Sequence, residues 1–373
     1  MQETLNLDHT ITWKHSKSLP DDVDFEYGWL YSSGKSLMEC CPASLSSSWE
    51  QAHKKISSIF RTCVLAKVPL SEHCFYDLVP ERDLNNFLHI KSLILKNVFE
   101  KYDRPENYEF LKSIYVMLEE ISSHSLSVDV GVLNVHNLPS SKKRIYQQQD
   151  ARAKYNLFGT RTGRLSTVKG SFPVLNFNKD HRDILVPRND AFVELDYNGA
   201  EVRTLLALSG NTQPIEDIHE WNLAHCHGSV ATRDEMKERF FAWLYNPDSK
   251  DSSLERYYNK RSCHEYWDGH HVYTPFKRKI ESDSFHSLNY LIQSTTSDLV
   301  LENALKVHQF LKHKKSNISF VVHDSIVLDM DKEDFGYLKS IAAMFEETRY
   351  GNYRSSAKIG RNYKDMRKIE WRQ

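Results

Sequence analysis

Two aspartates far apart in the chain stand where a carboxylate is costly. Asp196 closes the apolar run 191–196, AFVELD. A buried carboxylate there must be paired, bind a metal, or cap the helix that follows. Asp324 lies in Val321-Val322-His323-Asp324-Ser325-Ile326-Val327, between two aliphatic runs, where a tight turn suits it equally well. Each is ambiguous alone. If their strands pair, two carboxylates stand side by side and repel, and a pair of Mg²⁺ ions relieves the repulsion. Two such ions are the standard arrangement for in-line phosphoryl or nucleotidyl transfer. Between the aspartates, Arg233, Lys237, Phe241 and Tyr245 recur every fourth residue. On a helix they form one stripe that drifts by about 40° per step. Met236, Phe240, Trp243 and Leu244 take another face with core spacing. The stripe offers two cations for a polyphosphate and two aromatics for a base, although a surface helix could show the same register by accident.

The elements that must position these residues are legible in the second half of the chain. A strand over 191–196 leads into a helix over 199–208, with Gly210 placed as a C-terminal cap. Helices are expected over 232–245 and 284–312, and two strands around a His-Asp turn over 318–329. Residues 107–124 have one apolar face, Phe110, Leu111, Ile114, Met117, Leu118 and Ile121. Residues 135–160 read as a polar loop and connector. Residues 1–100 alternate short apolar runs with Ser-rich connections such as PASLSSSWE. There Asp24 and Glu26 form an Asp-x-Glu, a common tripeptide that can also open an exonuclease metal site.

The 373 residues carry a net charge of -1, which argues against a generic nucleic-acid coat. Charge distribution matters more than the total. Between residues 142 and 164, Lys142, Lys143, Arg144, Arg152, Lys154, Arg161 and Arg164 are opposed by Asp150 alone, a stripe able to follow a phosphate backbone or to lie in a solvated loop. No apolar run reaches the roughly 18 residues of a membrane helix, so no membrane partner is expected. No signal peptide is visible, and Cys40, Cys41, Cys63, Cys74, Cys226 and Cys263 show no framework spacing. Reduced thiols and a cytoplasmic location are expected. A zinc site from His225, Cys226, His227, Cys263 and His264 has irregular spacing and is the weaker metal reading.

Together these segments resemble the polymerase region of family A DNA polymerases, the DNA polymerase I family and its bacteriophage relatives. Asp196-Tyr197-Asn198-Gly199-Ala200-Glu201-Val202-Arg203 is similar to motif A, Asp-Tyr-Ser-x-x-Glu-x-Arg. The Arg233 to Tyr245 stripe is similar to motif B, with Asn246 where a Gly usually follows. His323-Asp324 is similar to motif C, with Ser325 in place of its Glu. Lesser matches are Thr162-Gly163-Arg164-Leu165-Ser166, Asp217-Ile218-His219, and Val272-x-Thr274 followed by Arg278-Lys279, with Lys277 in place of a Gly. Asn289-x-x-x-Gln293-x-x-x-x-Asp298 matches too, with Phe285 where an Arg is expected, and Lys358 to Tyr363 resembles the closing segment. The resemblance covers residues 150–373.

The resemblance implies an α/β (α+β) right-hand architecture: a palm with an antiparallel sheet, helical fingers over about 211–285, and a helical thumb. It implies palm and fingers over 161–373, a reduced thumb and connector over 106–160, and a region of unknown role over 1–105, an exonuclease remnant at most. Ser125 to Asp129 resembles the segment that precedes the family's thumb, and only residues 130–161 then separate it from Thr162. The implied partners are primer-template DNA and dNTPs, with a processivity or replisome partner to offset a weak grip. The small size and the phage-like motif A suggest a phage or mobile-element enzyme.

The implied roles follow the same residues. Asp196, Asp324 and the Tyr197 carbonyl would hold two Mg²⁺. Arg233, Lys237 and His219 would grip the triphosphate, and Lys237 would also protonate the leaving group. Phe241 would stack on the incoming base and sugar. Glu201, against Tyr245, would exclude a 2′-hydroxyl. Arg164, Asn289 and Gln293 would reach the minor groove, and His323 the primer terminus. A single-subunit RNA polymerase or primase-like enzyme, and an inactive nucleic-acid-binding protein, are the alternatives.

Overall fold

The structure is a computed structural model that describes residues 26–68, 73, 75–135, 139–147, 151–226, 231–246 and 248–370. The chain divides into two compact units, at Lys112/Ser113.

The first unit is helical. α1 (Ala43–Leu65) packs on α2 (Glu81–Lys101). Trp49, Ala52 and Ile56 of α1 meet Leu84, Phe87, Ile90 and Ile94 of α2, and the Trp49 and Phe87 rings stack at 5.2 Å. The Ser-rich segment PASLSSSWE is therefore no connection: all but its Pro belongs to the first turns of α1. Ser44, Ser47 and Ser48 face water, and the buried face begins at Trp49, so the helical spacing shows only in the window beyond. Glu26 accepts a 2.5 Å hydrogen bond from the Tyr31 hydroxyl. Asp24 lies outside the described residues.

α3 (Tyr108–Ser123) spans that division and buries Leu111, Ile114, Met117, Leu118 and Ile121 as their spacing predicts, while Phe110 is half-buried. Among the described residues, the central sheet has five antiparallel strands: β1 (Ala191–Tyr197), β2 (Asn317–Val322), β3 (Ser325–Met330), β4 (Ser355–Gly360) and β5 (Arg367–Lys368). Their spatial order is β5-β4-β1-β3-β2. Alternation gives β1 two faces. Phe192 joins Phe320, Val322, Val327 and Tyr363 in a core completed by Leu126, Tyr146, Phe172 and Phe177. On the opposite face the Tyr197 ring stacks on Phe345 at 4.3 Å. Phe345 belongs to α8 (Leu338–Glu346), which packs against α7 (Ser287–Leu311).

Residues 135–160 are more than a connector. Ser140–Tyr146 is a helix, Tyr155–Asn156 pairs with Ser166–Thr167, and Tyr146, Ala151, Ala153 and Leu157 are buried. Their apolar residues are widely spaced among charges, which hides the pattern. The basic stripe is also partly spent inside the fold. Arg152 donates to the Ser122 and Ser123 carbonyls at the end of α3, and Arg164 pairs with Glu201.

Three helices and a hairpin form a second core beside the sheet. α4 (Ala200–Leu208), α5 (Ile218–His225) and α6 (Arg233–Tyr245) pool Val202, Leu205, Ile218, Met236, Phe240, Trp243 and Leu244 with Val272 and Ile280 of the His271–Tyr273/Lys279–Glu281 hairpin. Thr232 caps α6 in a capping box with Glu235.

Candidate active site

The two aspartates come together because β1 and β3 pair. Asp196 is in register with Ser325, so Asp324 stands one residue beyond, in the two-residue turn between β2 and β3. Its carbonyl accepts from the Tyr197 amide at 3.2 Å. His323 takes the other turn position in the left-handed region, φ 50°, a conformation that costs a non-glycine residue energy and is common at functional turns. Both carboxyls are pushed up. Asp196 reaches about 7, first through burial and then through the charges of Asp324 and Glu194, partly offset by Lys358 and Lys237. Burial also raises Asp324.

These residues open into a cleft of about 700 Å³. Of the residues singled out in the sequence, Asp196, Tyr197, Asp324, His323, Arg164, Glu201, His219, Arg233, Lys237 and Phe241 line it. Tyr245, Asn289 and Gln293 do not. Tyr245 reaches the site through its hydroxyl, which donates to Glu201, and Gln293 lies within hydrogen-bonding reach of that hydroxyl. Asn289 lies in the first turn of α7 with its side-chain oxygen buried and unpartnered among the described residues.

The turn after β1 sets the α5–α6 side of the cleft. Asn198 donates to Asp217 at 2.6 Å and accepts from the Ile218 amide at 2.7 Å. Gly199 follows at φ 60°, and a Cβ there would lie 2.4 Å from Ile218 Cγ2 and 3.3 Å from His219 Nε2. Only glycine fits both the backbone and the approach. Arg203 is fully buried and donates to the carbonyls of Asn198, Pro214 and Glu216 at 2.7–2.9 Å. It fastens the loop before α5 to the end of β1.

The charges on α5 and α6 are already arranged among themselves. Arg233 grips Asp217 with two bonds of 3.1 and 2.8 Å. Asp217 also caps α5 through the His219 and Glu220 amides, and these bonds with Arg233 pull it down to about 2 against its burial. Burial and the Arg233 charge push His219 down to about 4, so it is a neutral hydrogen-bonding group at pH 7 and not a cation. Its Nδ1 is buried without a partner among the described residues. Lys237 has no ion-pair partner among the described residues and reaches the cleft one turn along from Arg233. Phe241 follows, stacked on Tyr245 at 5.7 Å.

Glu201 is shared: Tyr245 donates to one oxygen and Arg164 pairs with the other. Arg164 is therefore held by Glu201 here, a partner its sequence context did not announce. Beneath it, Arg278 forms a buried bidentate pair with Asp298, 2.7 and 2.9 Å. Gly163 lies against the Arg278 guanidinium so closely that a Cβ would come within 2.5 Å. Lys277, standing where the resembled segment has Gly, takes φ 61°. Sequence reasoning missed Glu194 and Lys368, and it named Lys358 without giving it a place in the site. The period of two could have found Glu194, which shares a strand face with Asp196. Cys226 of the zinc reading is buried, its thiol pushed up to about 11 by burial, and His225 is stacked on Trp221. His227 lies outside the described residues.

No protein-family model and no curated protein sequence matches this chain. Its fold is similar to that of the polymerase domain of Pol1 from M. smegmatis, solved as a complex with DNA primer-template and dNTP. The TM-score is 0.51 at 14% identity, over 88% of this chain and 66% of that one. The chain thus spans just under two thirds of the length of that structure. At this identity the likeness is one of architecture, and it assigns a polymerase-like fold of mixed helix and sheet.

Proposed function

We propose that the chain is a template-directed DNA polymerase that extends a primer 3′-hydroxyl with dNTPs. One observation carries the reading: Asp196 and Asp324 converge at adjoining strand ends in the cleft that Arg233, Lys237 and Phe241 also line. The carboxylates fit magnesium, since both are hard oxygen donors, half-buried, and unfavourably charged without a cation between them. Asp196, Asp324 and the Tyr197 carbonyl would hold two Mg²⁺, which would activate the 3′-hydroxyl and neutralise the leaving pyrophosphate.

The chain's own side chains account for the remaining work. Lys237 supplies a cation to the triphosphate and a proton to the pyrophosphate oxygen as it leaves. Arg233 exchanges Asp217 for a phosphate oxygen, while Asp217 stays ionised on the α5 amides. Neutral His219 adds a hydrogen bond. Phe241 stacks on the incoming base and sugar, and Glu201, braced by Tyr245, closes the space a 2′-hydroxyl would need. On this reading the sheet is the palm, α5 and α6 with the hairpin are the fingers, and α3 with the segment up to residue 160 stands for a reduced thumb and connector. His323 then meets the primer terminus, and Arg164, Asn289 and Gln293 the minor groove.

The Glu201–Tyr245 bond favours deoxynucleotides over the RNA-polymerase reading. The test is primer extension with Mg²⁺ and either dNTPs or rNTPs, with Asp196→Ala as control. Extension with dNTPs that vanishes in Asp196→Ala while primer-template binding persists supports the proposal. Binding without extension in the wild type overturns it in favour of an inactive binding protein, and equal use of rNTPs overturns the choice of sugar.

A further inference from the structure

The chain continues past the segment that resembles the family's closing one and returns as β5. That strand places Lys368 directly opposite Lys358 of β4, and both lysines line the catalytic cleft. Like charges opposed across an antiparallel pair repel. Lys358 is balanced on its other side, where its cross-strand neighbour on β1 is Glu194, at 2.9 Å. The Tyr363 hydroxyl lies 3.5 Å from the second Glu194 oxygen and helps hold it. Lys368 is exposed and has no ion-pair partner among the described residues. Lys368, Lys358 and Glu194 thus form one row across the sheet, two residues along β1 from Asp196.

The strand spacing fixes the reach of this row. Lys368 is two strands away from β1 and two residues along it, which places its Cα roughly 12 Å from that of Asp196. The phosphates of a nucleotide bound at Asp196 already have Arg233 and Lys237 beside them in the cleft. At about 12 Å, Lys368 is placed for a phosphate one or two nucleotides away along a nucleic-acid strand. Glu194 pairs with the nearer lysine, so the unpaired charge of the row lies at its outer end.

We infer that Lys368, on the β4–β5 hairpin, is a phosphate contact for the nucleic-acid strand that enters the catalytic cleft. Lys358, held by Glu194, sets its position. The inference rests on the polymerase reading and adds a contact to it. An exposed edge-strand lysine can be replaced without disturbing the core, so Lys368→Ala and Lys368→Arg are suitable variants.

The measurement is the dissociation constant of the full chain for a primer-template duplex over a series of NaCl concentrations, without dNTP. Lys368→Ala should lower the slope of log K against log[salt] by about 0.9, the value for one lost phosphate contact, and Lys368→Arg should restore it. An unchanged slope in Lys368→Ala overturns the contact. An unchanged slope with a raised KM for dNTP also overturns it, and assigns the lysine to the nucleotide triphosphate instead. Failure of the wild type to bind primer-template at all would instead count against the polymerase reading itself, so the two failures are distinguishable.

Discussion

Asp196→Asn should make the metal-free protein more stable while abolishing catalysis. The Asp196 carboxyl is pushed from its ordinary 3.8 up to about 7 by burial and by neighbouring carboxylates. The folded state therefore holds this proton more tightly than the unfolded chain. Below the ordinary value both states are protonated, and Asp196 contributes no penalty. Between 3.8 and about 7 the unfolded chain ionises first, so stability falls as pH rises, and above that window the full deficit remains. Three units at 1.36 kcal/mol each give an upper bound of about 4 kcal/mol. Asn has nearly the shape of the protonated acid and no charge, so about 2–3 kcal/mol should be recovered at pH 8 once local relaxation is allowed for. The assay is denaturant unfolding with a chelator present, followed by tryptophan fluorescence, at pH 4 and pH 8. The variant should match the wild type at pH 4 and exceed it at pH 8. Added Mg²⁺ should stabilise the wild type and leave Asp196→Asn unchanged. Equal stability at pH 8 would refute the claim that this carboxylate is held against its own preference.

Gly199→Ala should destabilise by about 2–4 kcal/mol and lower extension activity, since it combines left-handed backbone strain with a 2.4 Å clash on Ile218. Thermal unfolding and primer extension would show it, and an unchanged Tm would contradict the geometry of the turn. Lys277→Gly should stabilise by about 1 kcal/mol because φ 61° suits glycine; denaturant midpoints test this. Glu201→Ala should free Arg164 and Tyr245 and raise rNTP use relative to dNTP by at least about tenfold, read as a ratio of kcat/KM values. Phe241→Tyr should raise dideoxynucleotide incorporation in a terminator-competition gel, and no change would count against the alignment of that stripe with motif B.

The elements around the site were legible in the sequence because their periodicity is local. The α6 faces separate as their spacing predicts: Met236, Phe240, Trp243 and Leu244 are buried, while Arg233, Lys237 and Phe241 line the cleft. The strands of the His-Asp turn, the cap at Gly210 and the helix over 108–123 likewise follow from short-range pattern. The Ser-rich start of α1 was not legible because its serines are not buried and its buried face begins only at Trp49, and the segment 135–160 was not because its buried residues find partners distant in sequence.

The sequence by itself determined the pieces of the site: an aspartate closing a buried strand, another in a hairpin turn, and a helix with two distinct faces. Only the tertiary structure decided how they meet. The antiparallel register of β1 and β3 sets Asp196 beside Asp324, and the charge between them then follows from burial and distance. The tertiary structure also decided which charges are already spoken for. Arg233 on Asp217, Arg164 on Glu201 and Lys358 on Glu194 are pairings between residues separated in the chain. A side chain's type announces that it can hold a charge. Which charge it holds depends on neighbours that sequence spacing does not specify.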